Sequence, residues 1–368
     1  MHYHIILTTK CNSQCKYCYE KSMNDFDAEI EQKVTLDLSA PESSEIDVNA
    51  LKKFINKDKN PVIIFYGGEP LLQIKKIKGI IDNIDVPYRM QTNGKLLDKL
   101  PIEYLDKIGR ILVSIDGDRE RTDSNRGKGT YNLVMKNISQ IKEKGYSGEI
   151  IGRMTLNPES PDIFEQVLHL VDSGFSSVHW QIDAGFYAYD YDKEKFSLFT
   201  KEYNSSITKL IDYWVSQMRN EKVLKLYPFI GIVESLLKGE KTFLRCGAGH
   251  SGYAIRTDGK LVACPIMTWI QDFVCGDLDS DPAELKKFPI AERCKNCEIK
   301  NICGGRCLYW QHLKLWPEDG NELICNTIKH LVIELKNKMP EIKELIDNET
   351  ISYKDFEYEK YFGPEIIP

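Results

Sequence analysis

Cys11-Asn12-Ser13-Gln14-Cys15-Lys16-Tyr17-Cys18-Tyr19 sets three cysteines at the spacing C-x3-C-x2-C. Thiolates are soft ligands, and a cluster of them selects iron–sulfur chemistry or zinc. The count is informative. A four-iron, four-sulfur cluster takes four protein ligands when it only carries electrons. Three leave one iron open to a ligand that is not protein. The competing assignment is half of a zinc site whose fourth ligand lies elsewhere.

The surrounding sequence alternates strands and helices. His2–Thr9 is expected to be a strand leading into the cysteine loop. Pro61–Tyr66 is a near-continuous apolar run, as in a strand covered on both faces. Further strands are expected at Tyr88–Gln91, Ile111–Ile115, Ile150–Leu156 and Val178–Ile182. Helices are expected from Val48 behind an Asp47 cap, then over Leu71–Ile84, Pro101–Ile108, Tyr131–Lys144 and Asp162–Asp172. One more strand is expected at Lys33–Leu38, within an irregular charged stretch. Alternation of this kind implies parallel pairing through right-handed crossovers. Pattern alone leaves two architectures open, a partial barrel and a doubly wound open sheet.

The cysteine stretch resembles that of the radical S-adenosylmethionine (radical SAM) enzymes, whose hallmark C-x3-C-x-aromatic-C is matched by Cys11, Cys15, Tyr17 and Cys18. The resemblance implies a partial (β/α)6 TIM-like barrel. It also implies a [4Fe-4S] cluster whose open iron binds S-adenosylmethionine for reductive cleavage to a 5′-deoxyadenosyl radical. Ligands in parallel α/β folds sit beyond the carboxyl ends of the strands, and the remaining motifs fall there. Gly67-Gly68-Glu69-Pro70 follows the second strand, and in the family such a stretch holds the amino group of the methionine moiety. Gln91 and Asn93 end the third strand, and Ser114 and Asp116 the fourth. Polar groups at these ends can hydrogen-bond the ribose and the methionine carboxylate; in similar enzymes the strand-four serine or aspartate meets the ribose, and Ser114 is preferred over Asp116. Arg126-Gly127-Lys128-Gly129-Thr130 resembles the family's loop before the fourth helix, or is simply a glycine-rich helix entry. Arg153, on the fifth strand, is expected to face either the methionine carboxylate or a protein carboxylate. His179, Gln181 and Asp183 alternate along the sixth strand and so share a face; His179 and Asp183 are candidate catalytic groups at the substrate end.

Eight of the eleven cysteines lie between Cys246 and Cys325. Cys246, Gly259 and Cys264 are followed by Cys294-x2-Cys297-x5-Cys303-x3-Cys307 and then Cys325. This resembles the SPASM extension of radical SAM enzymes that modify peptides and proteins. The resemblance implies two auxiliary [4Fe-4S] clusters, one on Cys294, Cys297, Cys303 and Cys325, the other on Cys246, Cys264 and Cys307. Relatives with full coordination have another cysteine shortly before the first, and Glu240–Arg245 offers none. Either that cluster has an open iron, or Cys275 is its fourth ligand. Cys275 is otherwise a buried thiol, the preferred reading, or a hydrogen donor to a substrate radical. Sulfatase-maturing relatives carry an aspartate base after the second SPASM cysteine; here Pro265 follows Cys264, and proline cannot accept a proton.

The domains expected are a radical SAM partial barrel over 1–185, a helical bridge over 186–245, a SPASM domain over 246–330 and a C-terminal helix and tail over 331–368. Phe199, Tyr203, Ile207, Leu210, Ile211 and Trp214 mark one long amphipathic helix in the bridge. A tail helix is expected from Thr327. A chain of 368 residues, 42% hydrophobic and 28% charged, can bury a sizeable core. A net charge of −6 argues against nucleic acid as partner. No apolar run of membrane-spanning length exists, and no secretory signal precedes Cys11. Cysteines in such a chain are expected to be metal ligands in a reducing, anaerobic cytoplasm. The expected activity is thioether or carbon–carbon crosslinking of a ribosomally made peptide. Alternatives are oxidation of a protein cysteine or serine, peptide epimerisation, or non-catalytic electron transfer. The partners implied are a peptide or protein substrate and an external one-electron donor of the flavodoxin or ferredoxin type. No leader-binding domain is expected before Cys11, so leader recognition, if any, is expected in a separate leader-binding protein or in the bridge region.

Overall fold

The structure, a computed structural model, describes residues 1–18, 33–187 and 191–363. Tyr19, most of the charged stretch before residue 33 and the end of the tail lie outside the described residues. The chain divides into two compact units, Met1–Ile151 with Gly247–Pro289, and Gly152–Cys246 with Ile290–Pro368. Packing thus groups residues 247–289 with the first unit and 290–330 with the second.

The first unit is an α/β layer on a parallel sheet. Its strands are β1 (His2–Ile6), β2 (Val62–Tyr66), β3 (Tyr88–Thr92) and β4 (Ile108–Ser114), with the first residues of β5 (Glu149–Leu156). They lie in the order β5-β4-β3-β2-β1, and β1 to β4 pair in parallel. Ile63, Ile64 and Phe65 of β2 are fully buried, as an apolar run covered on both faces must be. Helix α1 (Val48–Ile55) starts where Asp47 accepts a hydrogen bond from Ala50 N at 2.9 Å, and it buries Leu51, Phe54 and Ile55. Helix α2 (Ile74–Asn83) follows a short 3-10 turn at Pro70–Gln73 and buries Ile77, Ile80 and Ile81.

Several sequence expectations need correction here. Lys33–Leu38 is not a strand; Leu36 forms a single bridge to Ile270. The helix expected over Pro101–Ile108 is only α3 (Ile102–Leu105), because Ile108 already opens β4. A polar helix, α4 (Arg119–Arg126), precedes α5 (Thr130–Glu143). The sheet also extends past β1. Strand β7 (Gly252–Ile255) runs parallel to β1, and β8 (Leu261–Val262) and β9 (Val274–Gly276) follow antiparallel.

In the second unit the rest of β5 neighbours β6 (Ser177–Ile182), and α6 (Phe164–Asp172) buries Val167 and Leu170. Two long helices dominate. Helix α7 (Lys193–Met218) buries Phe199, Tyr203, Ile207, Leu210, Ile211 and Trp214, the stripe expected of it. The tail helix begins well before Thr327: α12 (Glu318–Asp347) packs along α7 and carries Cys325. Between them lie α8 (Tyr227–Lys238), α9 (Glu292–Lys295), α10 (Lys300–Cys303) and α11 (Leu308–Leu313). Among the described residues no helix is long and apolar enough to cross a membrane.

Candidate functional site

The first cysteine loop leaves the carboxyl end of β1, and three neighbouring loops hold it in place. The Gly-Gly pair does so through its backbone. Gly68 N donates to Thr8 O, and Glu69 N to Lys10 O, each at 2.8 Å. A Cβ on Gly67, whose φ is +146°, would stand 2.4 Å from Thr8 O; one on Gly68 would stand 2.3 Å from Lys10 O. The close approach that glycine permits here is to the chain's own entry into the cysteine loop.

Glu69 is fully buried. Its carboxylate accepts from Leu71 N at 3.0 Å, Thr92 Oγ1 at 2.7 Å and Asn93 N at 2.8 Å. Burial pushes its pKa up to about 7 against those three donors. The acid therefore ties the Gly67–Pro70 loop to the end of β3. That fixes Asn93, whose Nδ2 donates to Asn12 Oδ1 at 2.7 Å and reaches Cys11 Sγ at 3.7 Å. Gln91, buried on β3, meets the His4 ring at 3.4 Å.

Helix α4 supplies the third tether. Lys16 N donates to Asn125 O, and Lys16 Nζ to Ser124 Oγ, both at 3.0 Å. Arg126 pairs with Asp116 through Nε and Nη2 at 3.0 and 2.9 Å, stacks 5.3 Å over the Tyr17 ring and reaches Cys15 Sγ at 4.0 Å. The Tyr17 hydroxyl donates to the same Asp116 carboxylate. Asp116 is thus fully buried and engaged on both oxygens, while Ser114 is half-buried at the end of β4. The role of Arg126 in bracing the loop is not apparent from the sequence, because α4 (Arg-Glu-Arg-Thr-Asp-Ser-Asn-Arg) has no apolar stripe. The available signal is Asp118, a capping residue whose side chain accepts from Arg121 N at 2.9 Å.

The donor set fits an iron–sulfur cluster. Three thiols share one loop, and Asn93 and Arg126 present N–H groups to two of the sulfurs, as outer-shell partners of metal ligands do. Among the described residues no three His, Cys, Asp or Glu side chains close on a single ion.

In the second unit Cys294, Cys297, Cys303 and Cys325 come together. Burial pushes Cys294 up to about 11, with the charges of Cys303, Cys325 and Cys297 adding to it. Burial likewise raises Cys303, which also senses Cys325, and Cys325, which also senses Cys297. Arg293 Nη2 lies 3.8 Å from Cys325 Sγ. Helix α12 brings the fourth thiol to the other three. Arg245, just before Cys246, is buried and bonds Ile302 O and Gly231 O at 2.9 Å, which fixes the backbone on either side. Cys307 caps α11. Arg153 donates to Gln181 Oε1 at 2.6 Å, His179 is fully buried on β6, and Asp183 N donates to Leu156 O at 2.8 Å. Back in the first unit, Cys264 precedes the 3-10 turn Pro265–Met267. The buried Cys275 thiol donates to Phe273 O at 3.3 Å.

Residues 5–171 match the Radical SAM superfamily. The chain is 25% identical over 338 residues to the radical SAM cyclopropyl synthase TigE of Paramaledivibacter caminithermalis, spanning 83% of this chain and 67% of that one. It is 23% identical over 328 residues to the cysteine-type anaerobic sulfatase-maturating enzyme of Clostridium perfringens, spanning 81% and 85%. In fold it matches native anSMEcpe with bound AdoMet and Cp18Cys peptide, with a TM-score of 0.71 at 18% identity over 93% of this chain and 99% of that one. It also matches Streptococcus suis SuiB bound to its precursor peptide SuiA, with a TM-score of 0.53 at 15% identity over 84% and 72%. A radical SAM fold implies a four-iron cluster and S-adenosylmethionine. The strand-end loops that converge on Cys11, Cys15 and Cys18 lie in the stretch, residues 5–171, that matches the Radical SAM superfamily, in a chain whose fold matches that of anSMEcpe and whose C-terminal region is rich in cysteine.

Proposed function

We propose that this enzyme crosslinks a ribosomally made peptide, through a thioether or a carbon–carbon bond. The observation that carries the reading is the pairing of two cysteine sites in one chain: a three-thiol loop braced by Glu69, Asn93 and Arg126, and a separate four-thiol set in the second unit. When bound, S-adenosylmethionine on the first cluster supplies a 5′-deoxyadenosyl radical that takes hydrogen from an unactivated carbon.

The chain's own residues do the positioning. Cys11, Cys15 and Cys18 ligate iron, and Tyr17 braces the loop against Asp116 and Arg126. The backbone of Gly67, Gly68, Glu69 and Pro70 offers carbonyls for the amino group of S-adenosylmethionine. Because the Glu69 side chain already accepts three protein hydrogen bonds, its part is to hold those carbonyls in place. Ser114 is the better partner for the ribose, since Asp116 is held by Arg126 and Tyr17. Gln91 and Asn93 line the same end of the sheet. Arg153, bonded to Gln181, is the candidate for the methionine carboxylate. His179 and Asp183 are candidates for the substrate end. Cys294, Cys297, Cys303 and Cys325 hold one auxiliary cluster, and Cys246, Cys264 and Cys307 a second. Cys275 is a buried structural thiol.

The relatives support a peptide substrate: SuiB and anSMEcpe are recorded with peptides bound, and TigE is a cyclopropyl synthase. Pro265, where the maturases have an aspartate base, favours bond formation over oxidation to an aldehyde. A flavodoxin- or ferredoxin-type protein donates the electron, and leader recognition, if used, belongs to a separate protein or to the bridge over 186–245.

The test is anaerobic reconstitution with dithionite and S-adenosylmethionine, followed by co-expression with small peptides encoded beside the gene. The expected result is three cubanes of iron, 5′-deoxyadenosine, and a peptide lighter by two hydrogens that transfers deuterium to the nucleoside. Iron below one cubane with no 5′-deoxyadenosine overturns the enzyme reading. An aldehyde product that reacts with hydrazide overturns the crosslink in favour of oxidation.

A further inference from the structure

Arg306 lies between Gly305 and Cys307 and is 5% exposed. Three successive residues with positive φ, Gly304 (+67°), Gly305 (+101°) and Arg306 (+48°), turn it inward. A non-glycine residue in that region is strained, and such strain persists only where the surroundings hold it. The Arg306 Nη atoms lie 3.3 and 3.5 Å from Ile182 O and Ala184 O, and its Nε finds no hydrogen-bond partner. Among the described residues it makes no ion pair. Its guanidinium sits 5.6 Å over the Trp310 ring, and Arg293 sits 5.1 Å over the same ring. Arg293 has Glu318 at 3.1 Å to offset its charge. Arg306 has no such carboxylate, and a buried, unpaired cation beside a second one is costly. The negative groups that act on its charge are, largest first, the sulfurs of Cys307, Cys325 and Cys303, then Asp183, and Arg293, which shares its ring, lies 3.8 Å from Cys325 Sγ.

A cubane on four thiolates is a dianion, and it becomes a trianion on gaining one electron. Net charge and hydrogen bonds to sulfur set the potentials of such clusters. We propose that Arg306, stacked with Arg293 on Trp310, is a positioning residue that raises the reduction potential of the cluster that Cys294, Cys297, Cys303 and Cys325 would hold. The inference rests on the auxiliary-cluster reading above. Both the buried charge and the unused Nε–H favour the added electron. In the proposed crosslinking, closing the bond would release one electron and one proton from the substrate radical; a cluster held by these thiolates would take the electron, the proton would go to solvent, and the external carrier would reoxidise the cluster.

The test uses the full chain, reconstituted anaerobically, with iron analysis and an EPR-monitored redox titration. R306Q is expected to keep its iron. At a fixed poise its ratio of reduced to oxidised auxiliary cluster should fall about ten-fold, as expected for losing one nearby charge, which is about 59 mV for a one-electron couple. The first cluster, recognised by its response to S-adenosylmethionine, should not move. R306K should recover part of the shift, and R293Q should shift in the same direction by less. If R306Q loads poorly, R306K and R293Q decide. Full iron with unshifted potentials in these variants overturns the inference alone. A wild-type chain that loads only one cubane overturns the auxiliary-cluster reading, and the inference with it.

Discussion

The two cysteine sites differ in how their cations are balanced. At the first loop a buried cation, Arg126, is matched by Asp116 at 2.9 Å, and Glu69 adds a buried carboxyl nearby. At the second, Arg306 is buried with no carboxylate paired to it among the described residues and shares Trp310 with Arg293. Net positive surroundings favour the more negative, reduced state of a cluster; balanced surroundings do not. On the proposal above, the fixed charges would divide the labour, with the second site the better placed to receive an electron.

The comparison breaks most visibly if either site is emptied. Cys11→Ala should bring 5′-deoxyadenosine formation to background and remove one cubane of iron, leaving the four-cysteine set loaded. Cys303→Ala should do the reverse: S-adenosylmethionine is still cleaved, while peptide product is lost. Iron analysis and nucleoside assay read both. Equal loss of all iron in both variants would mean that the sites are not independent.

A smaller effect separates the two arginines in the metal-free chain. Arg126→Met strands a buried Asp116, and breaking such a pair costs about 3–5 kcal/mol. Arg306→Gln removes a cation with no counter-charge, so it should leave metal-free stability unchanged or raised. Urea unfolding of the two variants side by side checks the contrast. Comparable destabilisation by both would show that Arg306 has a partner already in the metal-free protein.

What the sequence conveyed, and what it concealed, follows the same physics. The parallel strands were legible because buried strands must be apolar throughout, as Val62–Tyr66 is. Cysteine spacing was legible because ligands must share a centre. Helix α4 was not, since a helix polar all round carries no periodic signal, yet it braces the cysteine loop through Asn125 and Arg126. Strands β7 and β8 are too short to show an alternation. Asp258-Gly259 between them was a hairpin signal, and Gly259 N does donate to Arg256 O at 3.0 Å. The start of α12 was hidden because Gly320 and Asn321 interrupt its apolar pattern, though both are buried. Asp116 and Arg126 stand ten residues apart, and nothing in their spacing announces a pair.

Glu69 sharpens the picture of the first site through pH. Its folded pKa of about 7 lies above the ordinary 4.5. The folded state therefore holds an extra proton between those values, and stability falls as pH rises through that window. The full span is on the order of 3 kcal/mol. Glu69→Gln abolishes this slope. An amide offers one oxygen to three donors, so a buried N–H goes unmatched at about 1–3 kcal/mol. The variant should be less stable than wild type at pH 5, with the gap closing or reversing by pH 8. Urea midpoints of the metal-free chains at the two pH values measure it. A gap independent of pH would mean that Glu69 does not titrate in that range.

Cys275 gives the smallest effect and bears on the contrast between the sites most directly. Its Sγ donates to Phe273 O at 3.3 Å, and burial pushes the thiol up to about 12. A ligand must give up its proton and turn its lone pairs to iron, whereas this thiol uses its hydrogen on a carbonyl within β9 and its neighbourhood. Cys275→Ala should then keep every iron of the wild-type chain and lose only about 1 kcal/mol, the value of one weak buried hydrogen bond and a small cavity. Loss of a whole cubane instead would make Cys275 the fourth ligand of the cluster on Cys246, Cys264 and Cys307, and would close the iron position otherwise left for a substrate thiolate.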